Sequence, residues 1–81
     1  MAEGVEARVM EIIRVTLGVR DQEIRRDSNF VDDLQVDSLN LVELVYAFEG
    51  AFDISIGQEE AEEIRTVDDA IRCVEGKLPG S

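Results

Sequence analysis

The 81-residue sequence has no histidine and no tryptophan, and only one cysteine, one proline and one lysine. Without histidine the commonest catalytic base is missing, so a serine nucleophile has no ordinary partner to take its proton. A serine–lysine dyad would have to use Lys77, close to the C-terminus, and Asp37 beside Ser38 in sequence does not place the two side chains face to face. One cysteine and no histidine cannot supply the usual zinc ligands. A single cysteine, Cys73, forms no internal disulfide, so nothing points to an oxidising compartment. Aromatic residues are three Phe and one Tyr, which makes an aliphatic core the expectation.

Basic residues are absent over a long span. Between Arg26 and Arg65 there is no Lys or Arg, while eleven acids fall there: Asp27, Asp32, Asp33, Asp37, Glu43, Glu49, Asp53, Glu59, Glu60, Glu62 and Glu63. The net charge is −11, and the cations gather mainly in the first third at Arg8, Arg14, Arg20, Arg25 and Arg26. Such a field repels nucleic acid and anionic lipid and speeds encounter with basic protein surfaces. Two readings stand: a solvated face, or one that meets a partner. The acids show no calcium-loop spacing, since Val31 and Asp32 stand fifth and sixth from Asp27, where a ligand and Gly belong. No glycine-rich phosphate loop occurs. No apolar run is long enough to span a bilayer and no basic leader precedes one, so a cytoplasmic location is expected, or an organelle after loss of a transit peptide.

What is present is helical periodicity. An apolar fraction of 44% is that of a folded chain. Val5, Val9, Ile12, Ile13 and Leu17 recur as one helical face, with Gly18 as the stop. Residues 19–37 read as a long connection in which Phe30, Leu34 and Val36 dip into the core. A second helix is expected from about Ser38 to Ala51, and a short acidic one over about Gln58 to Glu63. A last helix opens at Thr66, where Thr66 and Asp69 have capping-box spacing, with the stripe Val67, Ala70, Ile71, Val74 and Leu78. Ile54 and Ile56 around Ser55 have no partner strand and are not read as one. The expectation is an all-α, small antiparallel four-helix bundle forming one domain, ordered over about 3–78, with a loose LPGS tail.

At about 100° per residue, Leu41, Leu44, Val45, Phe48 and Phe52 share the core arc of the second helix. Leu39, Val42 and Tyr46 fall opposite, interleaved with Glu43 and bordered by Glu49. Either they pack against the 19–37 connection or they form a docking stripe edged by acids. Asp37 or Ser38 is first of all an N-cap. The same position suits a covalently attached phosphate, because free N–H groups and the helix dipole stabilise negative charge there.

Asp37-Ser38-Leu39 at the head of a helix, set in FVDDLQVDSLNLVELVYAFEGAFDISI with VMEIIRVTLGV before and EEAEEIRTVDDAI after, resembles the acyl carrier proteins over nearly the whole chain. The resemblance implies a non-catalytic carrier whose Ser38 holds 4′-phosphopantetheine, added from coenzyme A by a phosphopantetheinyl transferase. Acyl intermediates then ride as thioesters to fatty-acid, polyketide or specialised lipid enzymes through the basic patches of those partners. It implies partner contacts at Asp37, Leu39, Val42, Glu43, Tyr46, Glu49, Glu59, Glu60 and Glu63. An acyl cavity would be lined by Phe30, Leu41, Leu44, Phe48, Phe52, Ala61 and Ile64. A monomer is expected. The alternatives are an acidic interaction module without the group, or a carrier of polyketide, amino-acid or D-alanine cargo.

The sequence departs from the family pattern at several positions. Gln35 stands where glycine is usual, Asn40 and Gly50-Ala51 where acids are common, and Leu41 where a small polar residue is. Tyr46 replaces Met, Phe48 replaces Leu, and Gly57-Gln58 replaces Pro-Asp. Phe48 and Leu41 are expected to reshape the cavity toward short or unusual chains, and the departures together suggest a specialised carrier. Cys73 is expected to be a partly buried small side chain.

Overall fold

The computed structural model describes residues 3–19 and 24–78. Arg20 and the Pro79-Gly80-Ser81 end lie outside the described residues. Among the described residues four helices form in the order expected: α1 (Glu3–Leu17), α2 (Ser38–Phe52), α3 (Gln58–Glu62) and α4 (Val67–Lys77). α1 packs on both α2 and α4, and α3 lies beside α2. Among the described residues there is no strand, only an isolated antiparallel bridge between Asn29 and Thr66. No helix among them is long and apolar enough to cross a membrane.

Each helix ends for a local reason. Gly18 takes φ +70°, and the Gly18 and Val19 N–H groups both donate to the Arg14 carbonyl, at 2.7 and 3.2 Å. This closes α1 in the left-handed turn that glycine enters without steric cost. α4 begins with a reciprocal cap: the Asp69 N–H donates to Thr66 Oγ1 at 3.1 Å, and the Thr66 N–H donates to Asp69 Oδ2 at 3.2 Å. The shorter Asp carboxylate thus does the work usually given to Glu. The apolar stripe of α4 stops one residue earlier than its spacing suggests. Leu78 is the C-cap in extended backbone and no longer part of the helix.

The core is aliphatic, with two rings at its centre. Val9, Ile13, Leu44, Val67, Ala70, Ile71 and Val74 are wholly buried, and Phe30 and Phe48 almost so. Val5, Ile12, Leu17, Leu34, Leu41, Phe52, Ile54, Ala61, Cys73 and Leu78 pack around them in part. Ile24, before the connection turns, is buried as well. The described part of the connection, residues 24–37, has no helix and is held by backbone. Phe30 N–H donates to the Arg65 carbonyl at 2.9 Å, Val67 N–H to Ser28 at 3.0 Å and Asp68 N–H to Arg26 at 2.8 Å. Arg26 also spans the bundle, pairing with Glu6 of α1 at 2.8 Å and with Asp68 of α4.

Two substitutions test this packing by thermal unfolding. Gly50 lies in an exposed helical turn, and a Cβ added there meets nothing within 4 Å. Gly50→Ala should therefore stabilise the fold by about 0.5–1 kcal/mol, seen as a Tm higher by several degrees. Phe48→Ala should cost about 3–5 kcal/mol by leaving a cavity at the centre.

Candidate site at the start of the second helix

Ser38 is placed by the segment that precedes it. The Asn29 side-chain oxygen accepts the Val31 and Asp32 N–H groups, both at 2.9 Å, and Asp33 Oδ2 accepts the Asn29 N–H at 2.7 Å. These bonds coil the chain into a tight turn after Asn29. Val36 then returns to the core, its N–H donating to the Phe30 carbonyl at 2.7 Å. Between turn and return stands Gln35 at φ +56°, the left-handed region that non-glycine residues rarely adopt. Gln35, where the resemblance leads one to expect glycine, thus holds a backbone conformation that glycine enters without steric cost.

The cap of α2 is Asp37, not Ser38. Asp37 Oδ1 accepts the Asn40 N–H at 2.8 Å, and the Asp37 carbonyl accepts the Leu41 N–H at 3.0 Å. Ser38 is therefore the first helical residue, exposed, and its hydroxyl makes no hydrogen bond among the described residues. The other described serines differ. Ser28 is buried, and its Oγ accepts the Arg25 N–H at 2.8 Å. Ser55 is exposed, but in the connection between α2 and α3, away from any helix start. Among the described serines only Ser38 offers a free hydroxyl where a helix N-terminus favours an anionic substituent.

A groove of about 560 Å³ opens beside Ser38, between α2 and α3. Its walls are Leu41, Val42, Val45, Tyr46, Ile56 and Ala61, and Gln58 and Glu62 stand in it as the polar members. Of the residues expected to line a cavity, the groove brings together Leu41 and Ala61. Phe30, Leu44, Phe48 and Ile64 are instead buried in the core. Phe52 is half-buried, with the Arg8 guanidinium 4.7 Å above its ring and donating to the Ala51 carbonyl at 3.0 Å. Val45 was placed only on the core arc, and Ile56, Gln58 and Glu62 were not expected to line a cavity. The i, i+4 pair Gln58 and Glu62 was the available signal for the last two, and Gln58 Nε2 donates to Glu62 Oε2 at 3.5 Å.

The stripe does not pack on the connection. Leu39, Val42 and Tyr46 are 66%, 46% and 68% exposed, which removes that alternative. The acids divide into two sorts. Glu43, Glu59 and Glu63 are exposed. Glu49 is half-buried and accepts the Ile56 N–H at 2.7 Å, tying α2 to the start of the groove wall. Glu60 accepts the Gly57 N–H at 2.9 Å and pairs with Lys77 at 2.8 Å, anchoring α3 to the end of α4. Glu49 and Glu60 are thus engaged within the fold. Cys73 is half-buried, and burial together with the charge of Glu60 pushes its thiol up from the usual range.

The surroundings of Ser38 fit a tethered phosphodiester: an exposed, unbonded hydroxyl at a helix start, with an apolar groove beside it. The comparisons identify the family. The family described as "Phosphopantetheine attachment site" matches residues 7–74, and the chain belongs to it. The fold is likewise similar to that of a Mycobacterium tuberculosis protein provisionally described as an acyl carrier protein. That structure matches with a TM-score of 0.84 and 34% identity, over 90% of this chain and 97% of the other. Within the family, then, this is an acyl carrier protein: a non-catalytic carrier of 4′-phosphopantetheine with an all-α fold.

The anchoring of α3 has a testable pH dependence. Lys77, with the Gly57 N–H, holds Glu60 below its ordinary range, and Glu60 in turn holds Lys77 above its own. The depressed carboxylate contributes fully above the ordinary glutamate range and loses its contribution as pH falls. The raised ammonium contributes below the ordinary lysine range and loses its contribution as pH rises. Amide hydrogen exchange in Gln58–Glu62 should therefore quicken, relative to intrinsic rates, below about pH 4. Lys77→Gln should make it faster at neutral pH and weaken that acid limb, leaving the part due to the Gly57 N–H.

Proposed function

We propose that Ser38 is the residue that bears 4′-phosphopantetheine, and that this chain delivers acyl intermediates, fatty-acyl or polyketide, to biosynthetic enzymes. When bound, the group supplies a thiol on which the acyl chain is carried as a thioester. The observation that carries the reading is the free, exposed hydroxyl of Ser38 at the start of α2, beside an apolar groove. A protein with no histidine needs no catalytic machinery for this role; it supplies the tether and the address. The acid-rich span from Asp27 to Glu63 favours encounter with transferases and synthases that present basic surfaces.

The groove argues for the size and polarity of the cargo. Phe48 and Phe30 fill the centre of the bundle, so the space available lies toward the surface, between α2 and α3. Gln58 and Glu62 line that space with donors and acceptors, which suits an oxygenated, polyketide-type chain better than a long saturated one. This supports a single specialised carrier domain in preference to one built for long fatty acids.

Two measurements test the proposal. Intact mass after incubation with coenzyme A and a broad-specificity phosphopantetheinyl transferase should show one pantetheine-sized gain, absent in Ser38→Ala. No gain, under conditions that modify a control carrier, would leave an acidic interaction module whose serine merely follows a cap. In a series of acyl forms, Tm should rise with chain length only over short chains and then level off. A rise that continues through long saturated chains would contradict the cargo assignment.

A further inference from the structure

On this chain the second helix carries little usable charge. Its acids are Glu43 and Glu49, and Glu49 is committed to the Ile56 N–H at 2.7 Å. Asn40, Gly50 and Ala51 are uncharged. Glu43 is left as the one exposed acid of α2. The exposed apolar residues, by contrast, are large and in line: Leu39, Val42 and Tyr46 stand 66%, 46% and 68% exposed on successive turns of one arc. Gly50 falls on the same arc with open space around it, so a partner can approach the backbone closely there. Val15 and Val31 are equally exposed, but on α1 and in the connection, as isolated surface residues commonly are. Off the helix, Asp37 is committed to the cap and Asp53 ends α2, while further exposed acids lie at α3 on Glu59, Glu62 and Glu63.

Resting on the carrier reading, we infer that partner enzymes are held on this chain mainly by an apolar anchor centred on Tyr46, with the electrostatic part of docking supplied by α3 rather than α2. The occupant that fits is a protein surface with an apolar pocket for a phenol ring and cations set to one side, toward Glu59 and Glu62. Tyrosine suits the anchor role, because it buries a large rigid area at small entropic cost and keeps a polar tip for the rim. Exposed single carboxylates, in contrast, contribute little each and are screened by salt. Val42 and Tyr46 also wall the groove, so the anchor is continuous with the place where the tether begins.

The test uses apo protein and a broad-specificity phosphopantetheinyl transferase at saturating coenzyme A, following KM for the carrier separately from kcat. Tyr46→Ala should raise KM about tenfold or more with kcat little changed, and Tyr46→Phe should restore most of the loss. Glu43→Gln should change KM less than twofold, and less than the pair Glu59→Gln, Glu62→Gln does. Far-ultraviolet dichroism confirms that the exposed substitutions leave the helices in place. A KM effect of Glu43→Gln equal to or larger than that of Tyr46→Ala would overturn the anchor. An effect of Glu43→Gln larger than that of the α3 pair would overturn the division of charge. Failure of the unsubstituted chain to be modified at all would instead overturn the carrier reading on which both rest.

Discussion

The backbone hydrogen bonds between the α1–α2 connection and the head of α4 are what the rest of the structure depends on. Phe30, Ser28 and Arg26 are bonded to Arg65, Val67 and Asp68 within four consecutive residues. An irregular segment such as 24–37 has few ways to satisfy its peptide groups in a core, and pairing them with the first turn of a capped helix is one. Once fixed, it lowers Phe30 into the core that also holds Phe48 and Leu44 and brings Val36 back to the Phe30 carbonyl. Asp37 is thereby set to cap α2, and the Ser38 hydroxyl is left free. Position at the site thus follows from satisfaction of backbone groups far from it.

A second constraint is that α2 is short of cover. A four-helix domain of this size closes over one arc of the helix, occupied by Leu44, Val45 and Phe48, and leaves the opposite arc to water. α3 is only Gln58–Glu62, too short to hide what remains, and it is held by the Glu60–Lys77 pair instead of by a broad apolar contact. The groove between the two helices is the consequence. The groove and the exposed apolar stripe therefore meet at Val42 and Tyr46, beside Ser38. On the proposed reading that economy is useful, because a carrier must hand over the chain it shelters.

Much of this was legible in the sequence. The stripes of α1 and α4, the glycine stop at Gly18 and the Thr66–Asp69 cap are local, and local patterns suffice for them. Two apolar arcs on one helix and an isolated Asp-Ser pair at its head sufficed to single out Ser38. Other features are decided by tertiary packing. Asp37 rather than Ser38 caps because the return at Val36 sets the phase of the helix. Glu49 and Glu60 read as free surface acids, yet each is used by a backbone N–H, and Glu60 also by Lys77, seventeen residues away in sequence. Nor does helical spacing distinguish a core-filling residue such as Phe48 from a groove wall such as Val45. Both lie on the same arc, and only the position of α3 separates them.

The most direct test of the account is fragmentation mass spectrometry of the protein isolated from cells that make it, locating any phosphopantetheine to a single residue. The account predicts the group on Ser38, with Ser28 and Ser55 unmodified. Phosphopantetheine on Ser55, or on any residue outside the start of α2, would contradict it.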